Sequence, residues 1–244
     1  MVMNELNEGT GFITNLKLST SELATIRNFI NKSYHDNLKN KYQDNYSLFL
    51  NCPIEEYHKS AHMINHSEAW PKPVRIFSKE QVDAIKKFSI FSVLSKVLGE
   101  FSATDLCPVN GHLGREDIYW RLVRPFEKSD AALMHADYWF WQRSKYSLPK
   151  GKQMLKAWIA VYCEPGKAGL MVVPHSQKQE YEFTIGEYGK ATTVKDVSDK
   201  ATVIPTNPGD IIIFHDKLLH AGVVGTNDRT RVSIEISILV DKKN

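Results

Sequence analysis

The chain has 244 residues, 42% of them hydrophobic and 24% charged, which excludes a disordered, collagenous or low-complexity protein. A formal net charge of +3 is too small to argue for nucleic acid, and no apolar run approaches the roughly 18 residues that span a bilayer. A chain of this length folds without disulfides or a structural metal, and Cys52, Cys107 and Cys163 are odd in number, far apart and free of any C-x-x-C pair.

The N-terminus carries Glu5 and Glu8 where a signal peptide would have lysines and then an apolar run, so the expectation is a cytoplasmic protein. In LSTSELATIRNFI, Ser19 and Glu22 form a capping box, Leu18 and Leu23 a hydrophobic staple, and Leu23, Ile26 and Ile30 share a helical face. The pattern recurs in FSKEQVDAIKKFSIFSVLSKVLG. There Ser78 and Gln81 make the box, Phe77 and Val82 the staple, and Gly99 the stop of one helix. The tyrosine-rich stretch between them, with Trp70 to Pro73, reads as irregular.

After Gly99, runs rich in β-branched and aromatic residues predict strands at Ile118–Arg124, Met154–Cys163, Gly169–Pro174, Thr202–Pro205, Asp210–His215 and Thr230–Val240. The turn from Glu164 to Gly169 predicts a hairpin between two of them. No crossover helices separate the strands, which argues against a parallel βαβ sheet. The expectation is a mainly β, α+β fold: a jelly-roll barrel (double-stranded β-helix, cupin-like) with flanking helices. Residues 1–244 read as one domain, helical over about 19–99 and jelly-roll over about 116–240.

Three features of the strand half carry chemistry. In an extended segment residues i and i+2 point the same way, so His135 and Asp137 of the H-x-D triplet can converge on one ion. His220, just beyond GDIIIFHDKLL, can supply a second imidazole, and His215 competes for that role. Arg231 lies 11 residues after His220 and alternates with Ser233, Glu235 and Ser237, opposite an apolar face of Val232, Ile234, Ile236 and Ile238. That polar face is either solvated or the wall of a pocket for a charged ligand. Two histidines and one carboxylate make the facial triad of non-haem Fe(II) oxygenases, which leaves coordination positions open.

The ordered set of H-x-D, G-D with an apolar strand, H-A-G and R-x-S resembles the Fe(II)/2-oxoglutarate dioxygenases, and within them the phytanoyl-CoA dioxygenase family. The opening GFITN and the strand GLMVVPHS extend the resemblance over most of the chain. It implies that His135, Asp137 and His220 hold Fe(II), and that Arg231 forks onto the distal carboxylate of 2-oxoglutarate with a hydrogen bond from Ser233. It also implies that O2 is the second cosubstrate, with hydroxylation of an unactivated C–H bond giving succinate and CO2. Related halogenases have a small residue in place of the carboxylate, so Asp137 argues for hydroxylation. The chain departs from the family pattern at His175-Ser176-Gln177, where Gly-Ser-His is common.

The substrate expected is a small polar or sugar-containing molecule, with no nucleic-acid partner; the oligomeric state stays open. Trp139 and Trp141 are candidates to stack on it. Arg121 and Arg124 have opposite strand parity, so at most one faces inward, and an inward arginine suits an anion. Lys156 is a further candidate. Desaturation, cyclisation or epimerisation with the same cofactors, and a non-catalytic jelly-roll binding protein, are the alternatives. Arg143–Gly151 and Lys178–Lys200 are polar enough to be cover loops.

Overall fold

The computed structural model describes residues 2–106, 113–143 and 148–242. Its helices are α1 (Val2–Asn7), α2 (Thr20–Lys41), α3 (Tyr57–Ser60), α4 (His66–Ala69), α5 (Lys79–Ile85), α6 (Ser89–Leu98) and α7 (Tyr138–Arg143). Its strands are β1 (Phe12–Lys17), β2 (Phe101–Ala103), β3 (Asp105–Leu106), β4 (Leu113–Arg115), β5 (Tyr119–Val123), β6 (Lys152–Tyr162), β7 (Ala168–Val172), β8 (Phe183–Ile185), β9 (Ala191–Thr193), β10 (Thr202–Thr206), β11 (Asp210–His215), β12 (His220–Gly222) and β13 (Arg231–Asp241).

Both capping boxes form. Ser19 and Glu22 bond reciprocally at the start of α2, and Ser78 and Gln81 do so at the start of α5. The second helix differs from expectation: it is two helices, broken at Lys86–Phe88. The last turn of α5 tightens, with Lys87 N–H bonding Ala84 and Phe88 N–H bonding Ile85. Phe88 then turns extended and packs its ring against the core. Glu22 fixes the break from outside, because its Oε1 accepts from the Ser89 backbone N–H and, at 2.9 Å, from the Ser89 hydroxyl. One carboxylate thus closes the capping box of α2 and the open N-terminus of α6.

The strands form a large antiparallel sheet in the order β1-β11-β6-β13-β2, with β5 also on β13, and a small sheet β10-β7-β12. The alternation read in β13 sets the layers. Val232, Ile234, Ile236 and Ile238 join Leu155, Ala157, Ile159 and Val161 of β6 on the face covered by α2, α5 and α6. Arg27 of α2 ties this layer down by donating its Nε and Nη2 to the Val161 carbonyl at 3.2 and 2.9 Å. The opposite face packs against the small sheet through Trp158, Ala160, Leu170, Val172, Ile212 and Phe214.

The expected hairpin at Glu164–Gly169 is not one. β6 already has β11 and β13 on its two edges, so the turn carries the chain across to the small sheet. There Gly169 opposes Pro205, so close that a Cβ would lie 1.8 Å from the Ile204 carbonyl oxygen. Cys52 and Cys163 are free thiols, whereas Cys107 lies outside the described residues. Among the described residues no helix is long and apolar enough to cross a membrane.

Candidate active site

His135 and His220 meet through their backbones. They form a β-bridge, each donating its N–H to the other's carbonyl, at 2.9 Å from His135 and 2.8 Å from His220. The bridge extends the small sheet by one position and sets the two imidazoles 4.3 Å apart, centroid to centroid. Each ring is fixed in the same way. His135 Nδ1 donates to Leu133 O at 2.7 Å and His220 Nδ1 to Leu218 O at 2.9 Å, which leaves both Nε2 atoms as electron-pair donors.

Asp137 faces both rings. Its Oδ1 is 3.6 Å from His135 Nε2 and its Oδ2 is 3.7 Å from His220 Nε2. One ligand atom from each of the three lies within 4.8 Å of the others, a spacing that a single cation can bridge. Desolvation by itself would raise the Asp137 carboxyl, but the Lys156 ammonium and the His135 and His220 rings outweigh it and hold it well below the ordinary carboxylate range. Burial, with His135 alongside, pushes His220 down to about 4, so its ring is neutral and ready to ligate near pH 7. His215 is not part of this group. Its Nδ1 accepts from the Lys217 N–H at 3.1 Å.

A cavity runs inward from the triad, walled by Trp158, Leu170, Phe214, Gly222 and Arg231. Arg231 is 5% exposed, lies over the Trp158 ring at 5.5 Å, and its Nε has no hydrogen-bond partner. The neighbouring Ser233 Oγ is also buried without a partner, although Ser233 shares the strand face of Arg231 rather than lining the cavity. Unpaired buried donors are costly. A carboxylate at the end of this cavity would use the Arg231 donor, and the triad at the other end suits a metal with open positions. The donor set therefore fits Fe(II) with a chelating 2-oxo acid.

The phytanoyl-CoA dioxygenase family model matches residues 20–233. The chain belongs to the phytanoyl-CoA dioxygenase family. It is a dioxygenase that depends on Fe(II), 2-oxoglutarate and O2. No curated protein sequence matches it. Among solved structures it is similar to the 2-oxoglutarate-dependent carbocyclase SnoK from nogalamycin biosynthesis, at 15% identity and TM-score 0.55, covering 97% of this chain and 82% of that one. It is also similar to EctD from S. alaskensis in complex with 2-oxoglutarate and 5-hydroxyectoine, at 13% identity and TM-score 0.54, covering 98% and 75%. A third is the epimerase SnoN with Fe3+, 2-oxoglutarate and a nogalamycin, at 13% identity and TM-score 0.53, covering 98% and 81%. At these identities the likeness is one of fold.

The dioxygenase has a second, outer chamber of about 470 Å³ that shares His135, Asp137, Arg121 and Lys156 with the inner cavity. Lys156 stands 3.8 Å from Asp137 and donates to Ser237 at 2.8 Å. Arg121 faces inward and pairs with Glu235, which also accepts from the Tyr119 hydroxyl at 2.5 Å. Arg124, of opposite parity, instead forks onto Asp130 at 2.8 and 2.9 Å and anchors the loop that leads to His135.

Trp139 departs from expectation. It is 3% exposed, stacks on Phe183 at 4.9 Å, and belongs to a small core with Val173 and Leu219 instead of lining either cavity. Helix geometry explains this: Trp139 and Phe140 point in different directions from α7, and Phe140 is the one in the chamber wall. Trp141 also lies in α7, but its side chain falls outside the described residues. Of the cover loops, Lys178–Lys200 contains the β8–β9 hairpin, which brings Gly189, Lys190 and Ala191 to the chamber. In Arg143–Gly151, Arg143 lines it and residues 144–147 lie outside the described residues.

Sequence reasoning missed Glu235, Tyr119, Arg75 and Lys190. Glu235 had a signal, since it sits on the polar face of β13. Arg75 and Lys190 had none, because they lie in irregular segments without periodicity.

The altered turn at His175–Gln177 has a structural use. Ser176 Oγ accepts from the Leu219 N–H at 2.8 Å, next to His220, and Gln177 Nε2 donates to Gly9 O at 3.0 Å. His175 takes a left-handed φ of 67°, a conformation that non-glycine residues rarely adopt.

Proposed function

We propose that His135, Asp137 and His220 hold the Fe(II), and that Arg231 binds the distal carboxylate of 2-oxoglutarate with Ser233 in support. On this reading the enzyme hydroxylates an unactivated C–H bond of a small polar or sugar-containing metabolite. The observation that carries it is the alignment of two halves of one site: a metal-ready triad at one end of the inner cavity and a buried, unpaired guanidinium at the other.

When bound, Fe(II) and 2-oxoglutarate supply an O2-dependent oxidation of a C–H bond, with succinate and CO2 as coproducts. The chain's own residues do the positioning. The Leu133 and Leu218 carbonyls fix the ring orientations, so that both Nε2 atoms face Asp137. Lys156, itself positioned by its bond to Ser237, favours the ionised form of the Asp137 carboxylate. Trp158 lies beneath the Arg231 guanidinium and Phe214 lies against His220 at 4.6 Å, so an apolar wall borders the inner cavity beside both groups. The outer chamber, which opens on His135 and Asp137, then receives the substrate.

The test is substrate-dependent succinate release across a panel of metabolites, followed by product mass. Gain of one oxygen supports hydroxylation. Loss of two hydrogens, or an isomer of unchanged mass, replaces it with desaturation or epimerisation. Absence of succinate release with every compound of the panel overturns the small polar or sugar-containing substrate class.

A further inference from the structure

We propose that the substrate carries a dianionic phosphate-type group, held by a cationic ring in the outer chamber. The proposal rests on the reading above and specifies its substrate. The chamber wall contains six basic residues, Lys72, Arg75, Arg121, Arg143, Lys156 and Lys190, and one carboxylate, Asp137. Glu235 lies just beneath, paired with Arg121. Six bases thus line one chamber, in a protein whose whole formal net charge is only +3. The bases come from a 3-10 turn at Lys72–Arg75 and from β5, α7, β6 and the segment before β9, so no single basic stretch of sequence produces the cluster.

Arg75 is the most informative member. Its Nε donates to Trp70 O at 2.9 Å and its Nη1 to Trp120 O at 2.8 Å, and among the described residues it makes no ion pair. Two backbone carbonyls therefore fix the guanidinium, with no carboxylate in contact with it among the described residues. Burial first, and the neighbouring Arg121 after it, hold it down to about 10, against the opposite pull of Glu235. Lys190 is also held by carbonyls, those of Ser129 and Ala131. Converging, prepositioned cations of this kind match a phosphate in charge and in fork geometry. The Tyr119 and Phe140 rings supply an apolar wall for the rest of the molecule. The volume, 470 Å³, falls in the range of small-molecule sites.

The experiment uses the full chain loaded with Mn(II) and saturating 2-oxoglutarate, without O2 turnover. Calorimetry measures the binding of phenyl phosphate, benzoate and benzyl alcohol. Phenyl phosphate should bind at least tenfold tighter than benzyl alcohol, with benzoate between them, and should weaken steeply with salt. Arg75→Gln and, separately, the exposed Arg143→Gln should each weaken phenyl phosphate at least fivefold, whereas Lys32→Gln on the outer face of α2 should leave it unchanged. Equal binding of the three probes, or unchanged phenyl phosphate binding in both variants, overturns the proposal. Competition of phenyl phosphate with 2-oxoglutarate also overturns it, because the anion would then occupy the cosubstrate's place. A separate titration of the Mn(II)-loaded chain with 2-oxoglutarate reports on the dioxygenase site, so failure there is distinguishable from failure of this proposal.

Discussion

His135 and His220 bond to each other through their main chains in both directions, at 2.9 and 2.8 Å, although 85 residues separate them. This pairing makes the relative placement of the two imidazoles, the proposed metal ligands, a property of the sheet instead of the loops. It predicts that either imidazole can be removed without loss of fold. His135→Ala and His220→Ala should each lose at least about 100-fold in affinity for Mn(II), in keeping with the loss of one of three ligands, while their circular dichroism and melting stay near wild type. Collapse of the fold in both variants would show that the rings and not the backbone bridge hold the strands together.

Gly222 sits where a Cβ would come within 3.0 Å of Arg231 Nη2. Gly222→Ala should displace the guanidinium and weaken 2-oxoglutarate binding by about tenfold, the loss of one charge-assisted hydrogen bond. Metal affinity should be unchanged. Equal losses in metal and cosubstrate affinity would contradict the separation of the two ends of the cavity.

Glu235 neutralises Arg121 and accepts from Tyr119 in the floor of the chamber. Glu235→Gln should cost about 1–2 kcal/mol in urea denaturation, below the figure for a fully buried pair because Arg121 is one-third exposed. Arg121→Gln in the same background should recover part of that loss. No recovery in the double variant would sink the idea that the stranded charge is the cause.

His66 accepts from the Tyr57 hydroxyl at 3.0 Å and faces Asp130, with Arg124 and Arg75 nearby. Burial pushes it down to about 4 from the ordinary imidazole value of 6.5. Its folded value is the lower one, so its contribution to stability is complete above about pH 6.5 and is lost as pH falls toward 4. His66→Gln should be less stable than wild type at pH 7, and thermal melting should show that gap narrowing by pH 4.5. A gap of constant size between pH 7 and pH 4.5 would contradict the lowered titration of His66 in the folded state.

The sequence made legible what depends on local order. The capping boxes at Ser19 and Ser78, and the split of β13 into an apolar and a polar face, are periodic or short-range signals that tertiary packing leaves alone. Other features turned on partners distant in the chain. The break at Lys86–Phe88 needs Glu22, and the crossing at Glu164–Gly169 needs both edges of β6 to be taken. Aromatic content alone could not tell Trp139, which is core, from Phe140, which faces the chamber; only the direction of α7 does that. H-x-D and H-A-G marked in the sequence the three residues that the fold brings together, whereas the basic residues of the outer chamber come from five separate segments and have no motif.

The central claim is that one cavity holds a metal at His135, Asp137 and His220 and a 2-oxo acid anchored at Arg231. The most direct measurement is an anaerobic titration of the purified chain with Fe(II) and 2-oxoglutarate, following the weak visible charge-transfer band of the chelated 2-oxo acid. The account predicts a band in the wild type, none in His220→Ala, and a band in Arg231→Ala that needs far more 2-oxoglutarate to saturate. A folded, iron-loaded wild type without that band, or an Arg231→Ala titration that overlays the wild type, would contradict it.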